Sequence, residues 1–112
     1  MEFSGDLVKG SVVPAILALV RERPMYGYEM VKLVDARTGG KLQWRQGTLY
    51  PALHKLESDG LITSNWKTAG GDRSRKYYSI TRRGRRELTK RAAEWNEFSS
   101  SLNRLLASGG KA

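Results

Sequence analysis

Apolar residues recur at helical intervals in the first third of the chain and predict two helices. The first pattern runs from Val12 to Val20, and Pro24 then forces the preceding residue towards an extended conformation. We therefore expect a first helix over roughly residues 7–22. A second pattern begins at Tyr26 and ends before residues 38–40, where two glycines suit a left-handed helix cap.

A third helix is predicted over residues 47–58, because its leucines fall in one narrow stripe when each residue is turned by 100°. The opposite side carries Gly47, Pro51, His54 and Ser58, flanked by Tyr50 and Lys55. Proline is tolerated in a first turn, so we expect the helix to begin near Gly47 or Thr48, with the Thr48 hydroxyl as the N-cap. The free N–H groups and the positive dipole end of that turn suit a phosphate.

The periodicity changes after Gly60 and predicts a β-hairpin. Residues 61–67 and 76–80 are rich in aromatic and β-branched side chains and are typical of strands. The segment between them, residues 68–75, is a glycine-rich turn with a basic end. We therefore expect a hairpin with arginines at its tip.

A long final helix is predicted from Thr81, which is a suitable N-cap. Its apolar positions form a narrow stripe of the coiled-coil kind: Leu88, Ala92, Trp95, Phe98, Leu102, Leu105 and Leu106. The order of elements predicts an α+β, mostly α fold. A winged helix-turn-helix would span residues 1–81, a dimerisation helix residues 82–107, and a disordered tail residues 108–112.

The charge of the chain is strongly basic and unevenly distributed. There are 20 Lys and Arg residues against 11 Asp and Glu, a net charge of +9. The stretch from Leu61 to Arg91 holds ten of the basic residues and two acidic ones. Such a cluster predicts a polyanionic partner, nucleic acid before membrane. The alternative is a solvated basic face that only maintains solubility.

Composition excludes several classes of function. There is no cysteine, so disulfides, thiolate metal sites and cysteine nucleophiles are excluded, and a reducing cytoplasm fits. No apolar run approaches the roughly 20 residues of a membrane helix, and the N-terminus does not resemble a secretion signal. No nucleophile–base pair, carboxylate cluster or nucleotide-binding loop supports an enzyme, and Gly70-Gly71 is too short for such a loop. We expect no metal and no cofactor.

Three helices followed by a hairpin are the plan of a winged helix, whose third helix enters the major groove of DNA while the hairpin, the wing, meets the backbone. The predicted DNA contacts lie on the third helix and the wing: Gln46, Gly47, Thr48, Tyr50, His54, Lys55, Arg73, Ser74, Arg75 and Lys76. Less specific interpretations remain: His54 as an ordinary surface residue, and Tyr50 packed against the wing. Trp66 is expected in the core of the wing rather than as a base-stacking platform.

The third helix and the segment after it resemble the signature of PadR-like transcriptional regulators, through Gly47-Thr48-Leu49-Tyr50-Pro51-Ala52-Leu53, Leu56-Glu57 and Gly60-Leu61-Ile62. Three further segments are similar to that family, namely Tyr26-Gly27-Tyr28-Glu29, Arg75-Lys76-Tyr77-Tyr78, and Thr81 with Gly84. The resemblance covers about residues 7–106, in order and at family spacing. It implies a bacterial, cytoplasmic, nucleoid-associated homodimeric repressor that reads a palindromic operator.

The resemblance also implies a role for the final helix. In the smaller subfamily, which this chain resembles, a single C-terminal helix makes most of the dimer. Many members release DNA when a small aromatic or drug-like effector binds. The implied interface residues are Leu88, Trp95, Leu102, Leu105 and Leu106, and the implied effector site is Ala92, Trp95, Phe98 and Ser99. The alternative for Trp95 is a plain interface anchor.

Two questions remain open at this point. The arginines at positions 82, 83, 85 and 86 oppose the dipole of the helix that they begin, which suggests an external anion nearby or simple solvation. A winged helix can also bind protein instead of DNA. Such a module would not need the positive charge of residues 61–91, and a gel shift at moderate salt separates the two functions.

Overall fold

The computed structural model describes residues 2–68 and 74–108 of the chain. Within those ranges the elements, in chain order, are α1 Gly5–Glu22, β1 Met25–Tyr26, α2 Gly27–Arg37, α3 Gln46–Ser58, β2 Ile62–Thr68, β3 Ser74–Ile80 and α4 Arg82–Ser108. The predicted mostly helical α+β fold is confirmed, with three helices, a hairpin and a long last helix. No helix within the described ranges combines the length and the apolarity that crossing a membrane requires.

The core lies where α1, α2 and α3 meet the base of the hairpin. Each of these three helices buries its apolar stripe: Ile16 and Leu17 of α1, Met30 of α2, and Leu49 and Leu53 of α3 are fully buried. Burial of a side chain of this size contributes about 1.5–3 kcal/mol. The leucine stripe of α3 therefore fixes which side of that helix remains in solvent.

The start of α3 differs from the prediction. The helix begins at Gln46, and Arg45 occupies the N-cap position with an extended backbone. The Arg45 carbonyl accepts the N–H groups of Thr48 and Leu49, each at 3.0 Å. Thr48 is thus inside the first turn and is not the N-cap. Pro51 lies in the second turn and has no N–H to donate to the Gly47 carbonyl, four residues earlier. Because Gly47 is exposed, water can donate to this carbonyl instead, so the helix tolerates the proline.

The sheet contains a short strand that the sequence pattern did not predict. Strand β3 lies in the centre of a three-stranded antiparallel sheet of order β1-β3-β2. In β1, Met25 pairs with Tyr78 and Tyr26 pairs with Tyr77. Tyr78 is buried, and this burial raises its pKa above the ordinary value of 10.0. Strand β1 therefore ties the entrance of α2 to the wing.

Helix α4 is joined to the core by a tight junction. The Thr81 hydroxyl accepts the Gly84 N–H at 3.0 Å, which confirms Thr81 as an N-cap. The same hydroxyl lies 2.8 Å from the Gly60 carbonyl and 3.0 Å from the Leu61 carbonyl. A Cβ atom at Gly84 would lie 2.1 Å from the Leu61 carbonyl oxygen. Only glycine fits there.

The far end of α4 extends one residue beyond the prediction. Ser108 is the last helical residue and does not belong to a tail. The rest of the predicted tail, residues 109–112, lies outside the described residues. The helix has 27 residues, which corresponds to about 40 Å.

Candidate nucleic-acid interface

The leucine-free side of α3 is exposed to solvent. Seven residues on it are exposed, among them five of the predicted DNA contacts: Gln46, Gly47, Tyr50, Pro51, His54, Lys55 and Ser58. The sixth predicted contact on this helix, Thr48, is half-buried. The Lys55 ammonium lies 3.4 Å from the Asp59 carboxylate one turn later. This pair is exposed, so it costs little to exchange for an external anion.

The N-terminus of α3 offers backbone donors at the same surface. Arg45 makes no side-chain hydrogen bond to cap the helix. The first N–H groups of a helix have no intrahelical acceptor, so here they are available to an external one. Together with the positive end of the helix dipole, they suit a phosphate oxygen.

Tyr50 lies against the start of α2. A Cβ atom added at Gly27 would lie 2.8 Å from the Tyr50 hydroxyl oxygen and 3.1 Å from the neighbouring ring carbon. The absence of a side chain at Gly27 therefore makes room for the tyrosine, which is still 39% exposed. The alternative interpretation, Tyr50 packed against the wing, stays a prediction.

The two faces of the hairpin have different surroundings. Side chains alternate between faces along a strand, and directly paired residues share a face. Trp66 pairs with Lys76 and Thr68 pairs with Ser74, so these four residues lie on one face, which we call the inner face. Glu57 of α3 reaches this face and lies 3.8 Å from the Lys76 ammonium. The inner face therefore continues the exposed surface of α3.

The opposite, outer face carries two adjacent aromatic rings with a cation against each of them. The Arg75 guanidinium lies 4.5 Å from the centre of the Tyr26 ring. Tyr26 meets Tyr77 edge to face at 5.5 Å, and the Lys67 ammonium lies 5.6 Å from the centre of the Tyr77 ring. Contacts of this kind stabilise by about 0.5–1 kcal/mol each when exposed. Tyr26, a residue of β1, therefore orients the Arg75 side chain.

The predicted wing contacts therefore do not all lie on the same face of the hairpin. Ser74 and Lys76 lie on the inner face, and Arg75 lies on the outer face against Tyr26. Arg73 lies outside the described residues. Tyr26 and Gly27, which position Arg75 and Tyr50, were not predicted to act at this surface. The sequence signal for them was the segment Tyr26-Gly27-Tyr28-Glu29, one of those similar to PadR-like regulators.

Trp66 was expected in the core of the wing, and this prediction is wrong. Its side chain is 68% exposed. The core of the sheet ends near the base of the hairpin, at Ile62 and Tyr78, and Trp66 is four residues further along β2. At about 3.4 Å per residue, that places it about 13 Å beyond Ile62, past the cover that the helices give.

The exposed arginines at the start of α4 lie at the opposite end of α3 from its N-terminus. Arg83 lies beside Gly60, with a guanidinium nitrogen 3.3 Å from where a Cβ atom of that glycine would be. A polar cavity between α3 and α4 is lined by Arg83, Arg91, Glu87, Ser58, Asp59 and Leu61. The thirteen residues of α3 separate this cluster from Gln46 by about 18 Å.

The sequence matches the Transcriptional regulator PadR-like family over residues 16–90. The chain belongs to this family. Its family and fold are those of transcriptional regulators, not of enzymes.

Solved structures and a curated relative agree with this assignment. A transcriptional regulator from Clostridium thermocellum is 31% identical, with a TM-score of 0.83 over 89% of this chain and 97% of that one. A PadR family transcriptional regulator from Eggerthella lenta is 38% identical, with a TM-score of 0.78 over 90% of this chain and 86% of that one. The negative transcriptional regulator PadR of Bacillus subtilis is 31% identical over 74 residues, which are 66% of this chain and 41% of that protein.

Helix α4 of this PadR-family chain is mostly unsupported by its own core. Its buried residues are Gly84 and Leu88, both in its first two turns. Leu88 packs in the core of the chain, so its assignment to a dimer interface is wrong. Beyond it, Trp95, Phe98, Leu102, Leu105 and Leu106 form an exposed apolar stripe. This stripe is the largest exposed apolar surface that the described residues of α4 present.

Trp95 borders two cavities between α4 and α1. One, of about 200 Å³, is almost wholly apolar and is lined by Phe3, Leu7, Val8, Ser11, Leu42 and Trp95. The other, of about 370 Å³, is lined by Gly10, Pro14, Arg91, Glu94, Trp95 and Phe98. The Trp95 and Phe98 ring centres are 6.4 Å apart. Ala92 and Ser99, the other predicted effector residues, line neither cavity.

Proposed function

We propose that this protein is a homodimeric, sequence-specific DNA-binding repressor. The observation that carries the proposal is that the leucine-free side of α3 is exposed and continues onto the inner face of the hairpin. Helix α3 would enter the major groove, where Gln46, His54 and Lys55 reach base edges and adjacent phosphates. Its uncapped N-terminus and the wing cations would hold the backbone. The family assignment and the negative regulator from Bacillus subtilis support this function.

A second copy of the chain is the proposed partner of the α4 stripe. The apolar side chains from Trp95 to Leu106 lie on one side of a 27-residue helix whose buried residues, Gly84 and Leu88, are confined to its first two turns. Monomeric proteins rarely expose a continuous apolar stripe of this length. Pairing of two such helices would bury both stripes and relate two copies of α3 by two-fold symmetry.

The direct test of DNA recognition is selection of bound duplexes from a random pool, followed by a gel shift. We expect a palindromic site whose half-sites are separated by about one helical turn, roughly 34 Å. If the selection enriched no sequence and the protein bound every duplex equally well, sequence-specific recognition would be contradicted. Failure to bind any duplex at moderate salt would favour the alternative of a protein-binding winged helix.

The wing contacts are tested by the salt dependence of binding. Arg75→Ala is expected to weaken binding to all sequences and to lower the slope of log K against log salt concentration by about one unit, because one phosphate contact is lost. Gel shifts at several salt concentrations measure this slope. Arg75→Lys is the matched control, since it keeps the charge while removing the planar group that stacks on Tyr26. An unchanged slope in Arg75→Ala would exclude Arg75 as a phosphate contact.

The proposed effector site is the pair of cavities beside Trp95, which a second copy of α4 would enclose further. The apolar lining of the smaller cavity and the Trp95 and Phe98 rings beside the larger one suit a small planar aromatic or drug-like molecule. Titration with planar cationic dyes is expected to quench the fluorescence of the wild-type protein and to release it from the selected duplex. Trp95→Phe should lose most of the quenching. The site would be refuted by a broad panel of dyes that leaves fluorescence and DNA binding unchanged.

A further inference from the structure

We propose that Trp66 is an apolar DNA contact, which packs into the minor groove beside the major-groove segment that α3 occupies. This inference rests on the proposed DNA-binding function and adds to it a contact of a different chemical kind. The predicted contacts act through charge and hydrogen bonds. Trp66 would act through a flat apolar surface against sugars and base edges.

The position of Trp66 carries the argument. Its side chain lies on the inner face of the hairpin, the same face as Lys76 and Ser74. Glu57 of α3 ties this face to the recognition helix through a 2.5 Å hydrogen bond from the Ser64 hydroxyl. Residues 64, 66 and 68 follow one another along this face, so Trp66 is the next side chain outward from the one that α3 holds. A duplex against α3 therefore meets Trp66 next.

The surroundings of Trp66 favour DNA over protein as the occupant. Its direct cross-strand partner on the inner face is Lys76, and Glu57 is already engaged by Ser64 and Lys76. The cores of protein interfaces are depleted in lysine. A large aromatic ring beside a lysine instead suits a polyanion that also offers apolar sugar and base edges. Apolar side chains inserted in the minor groove partly unstack a base step and bend the duplex.

This contact makes a prediction that a phosphate contact does not. Trp66→Ala should weaken binding to the selected duplex about 5- to 20-fold, in the range of an aromatic contact with a base. The salt slope should stay unchanged, because no phosphate charge is involved. Trp66→Phe should bind within about threefold of the wild type, since a phenyl ring keeps most of the apolar surface.

Two further measurements use the same labelled duplex, about 30 base pairs long, that the wild-type protein selects. Energy transfer between dyes at its two ends should report a smaller bend with Trp66→Ala than with the wild type. In a Trp95→Phe background, Trp66 is the exposed tryptophan, because Trp44 is buried. Addition of the duplex should then protect the fluorescence from quenching by acrylamide.

Matched controls separate the possible results. Lys76→Ala, at the cross-strand partner of Trp66 on the inner face, should lower the salt slope and leave the bend unchanged. Equal affinity of Trp66→Ala and wild type, with no acrylamide protection, would overturn the proposal while DNA binding itself stands. A lower salt slope in Trp66→Ala would also overturn it. Failure of the wild type to bind any duplex would overturn both this inference and the proposed function.

Discussion

Gly84→Ala is expected to destabilise the protein by about 3 kcal/mol or more, or to prevent folding. The added methyl group would lie 2.1 Å from the Leu61 carbonyl oxygen and 2.8 Å from the Ile80 side chain. The carbonyl belongs to the backbone of the α3–β2 turn and also accepts the Thr81 N–H at 3.1 Å. The clash cannot be relieved without separating α4 from that turn. Urea unfolding followed by circular dichroism measures the loss.

The matched control is Gly10→Ala, the same substitution in the interior of α1. A Cβ atom at Gly10 meets nothing within 4 Å, and alanine is the better helix former by about 1 kcal/mol. This variant should therefore be as stable as the wild type or more stable. If Gly84→Ala unfolded at the same urea concentration as Gly10→Ala, the close junction between α4 and Leu61 would be disproved.

The double substitution Leu102→Glu and Leu106→Glu is expected to convert the protein to a monomer and to reduce its affinity for the selected duplex by at least about 100-fold. Both side chains lie on the exposed apolar stripe of α4. Four carboxylates in a paired helical interface would be desolvated without partners, which costs several kcal/mol. A monomer also loses the simultaneous binding of two half-sites. Analytical ultracentrifugation at micromolar concentration gives the oligomeric state.

Ser100→Glu provides the control for added charge on α4. Ser100 is exposed and lies on the side of the helix away from the stripe. This variant should remain dimeric and bind the duplex as tightly as the wild type. Should the double variant remain a dimer, the α4 stripe would not be the contact between subunits, and the proposed symmetry of the two recognition helices would have to arise elsewhere.

The sequence was most informative where structure depends on neighbours along the chain. The leucines of α3 repeat at helical spacing, so the exposure of Tyr50 and His54 followed from the pattern alone. The Thr81 cap was equally predictable, because a hydroxyl and the N–H three residues later form a local contact. The first residue of α3 was less predictable, because Arg45 occupies the N-cap position through its extended backbone alone and makes no side-chain capping hydrogen bond.

The misplaced residues share a dependence on distant contacts. Leu88 fits the apolar stripe of α4, yet it is buried because the first two turns of α4 lie on the core. Trp66 fits a strand pattern, yet it is exposed because the sheet extends past the helices that cover its base. Periodicity shows on which face of a helix or strand an apolar side chain lies. It does not show how much of the length of that face is covered by neighbouring helices or strands.

The sequence by itself thus determined the succession of the four helices and the hairpin, the free side of α3 and the basic character of the hairpin. Only the tertiary structure decided that Arg75 stacks on Tyr26 while Lys76 faces α3, that Gly27 makes room for Tyr50, and that Gly84 touches Leu61. The physical reason is the range of the interactions. Helical and strand periodicity and capping arise within a few residues, whereas each of these contacts joins residues at least 19 positions apart along the chain.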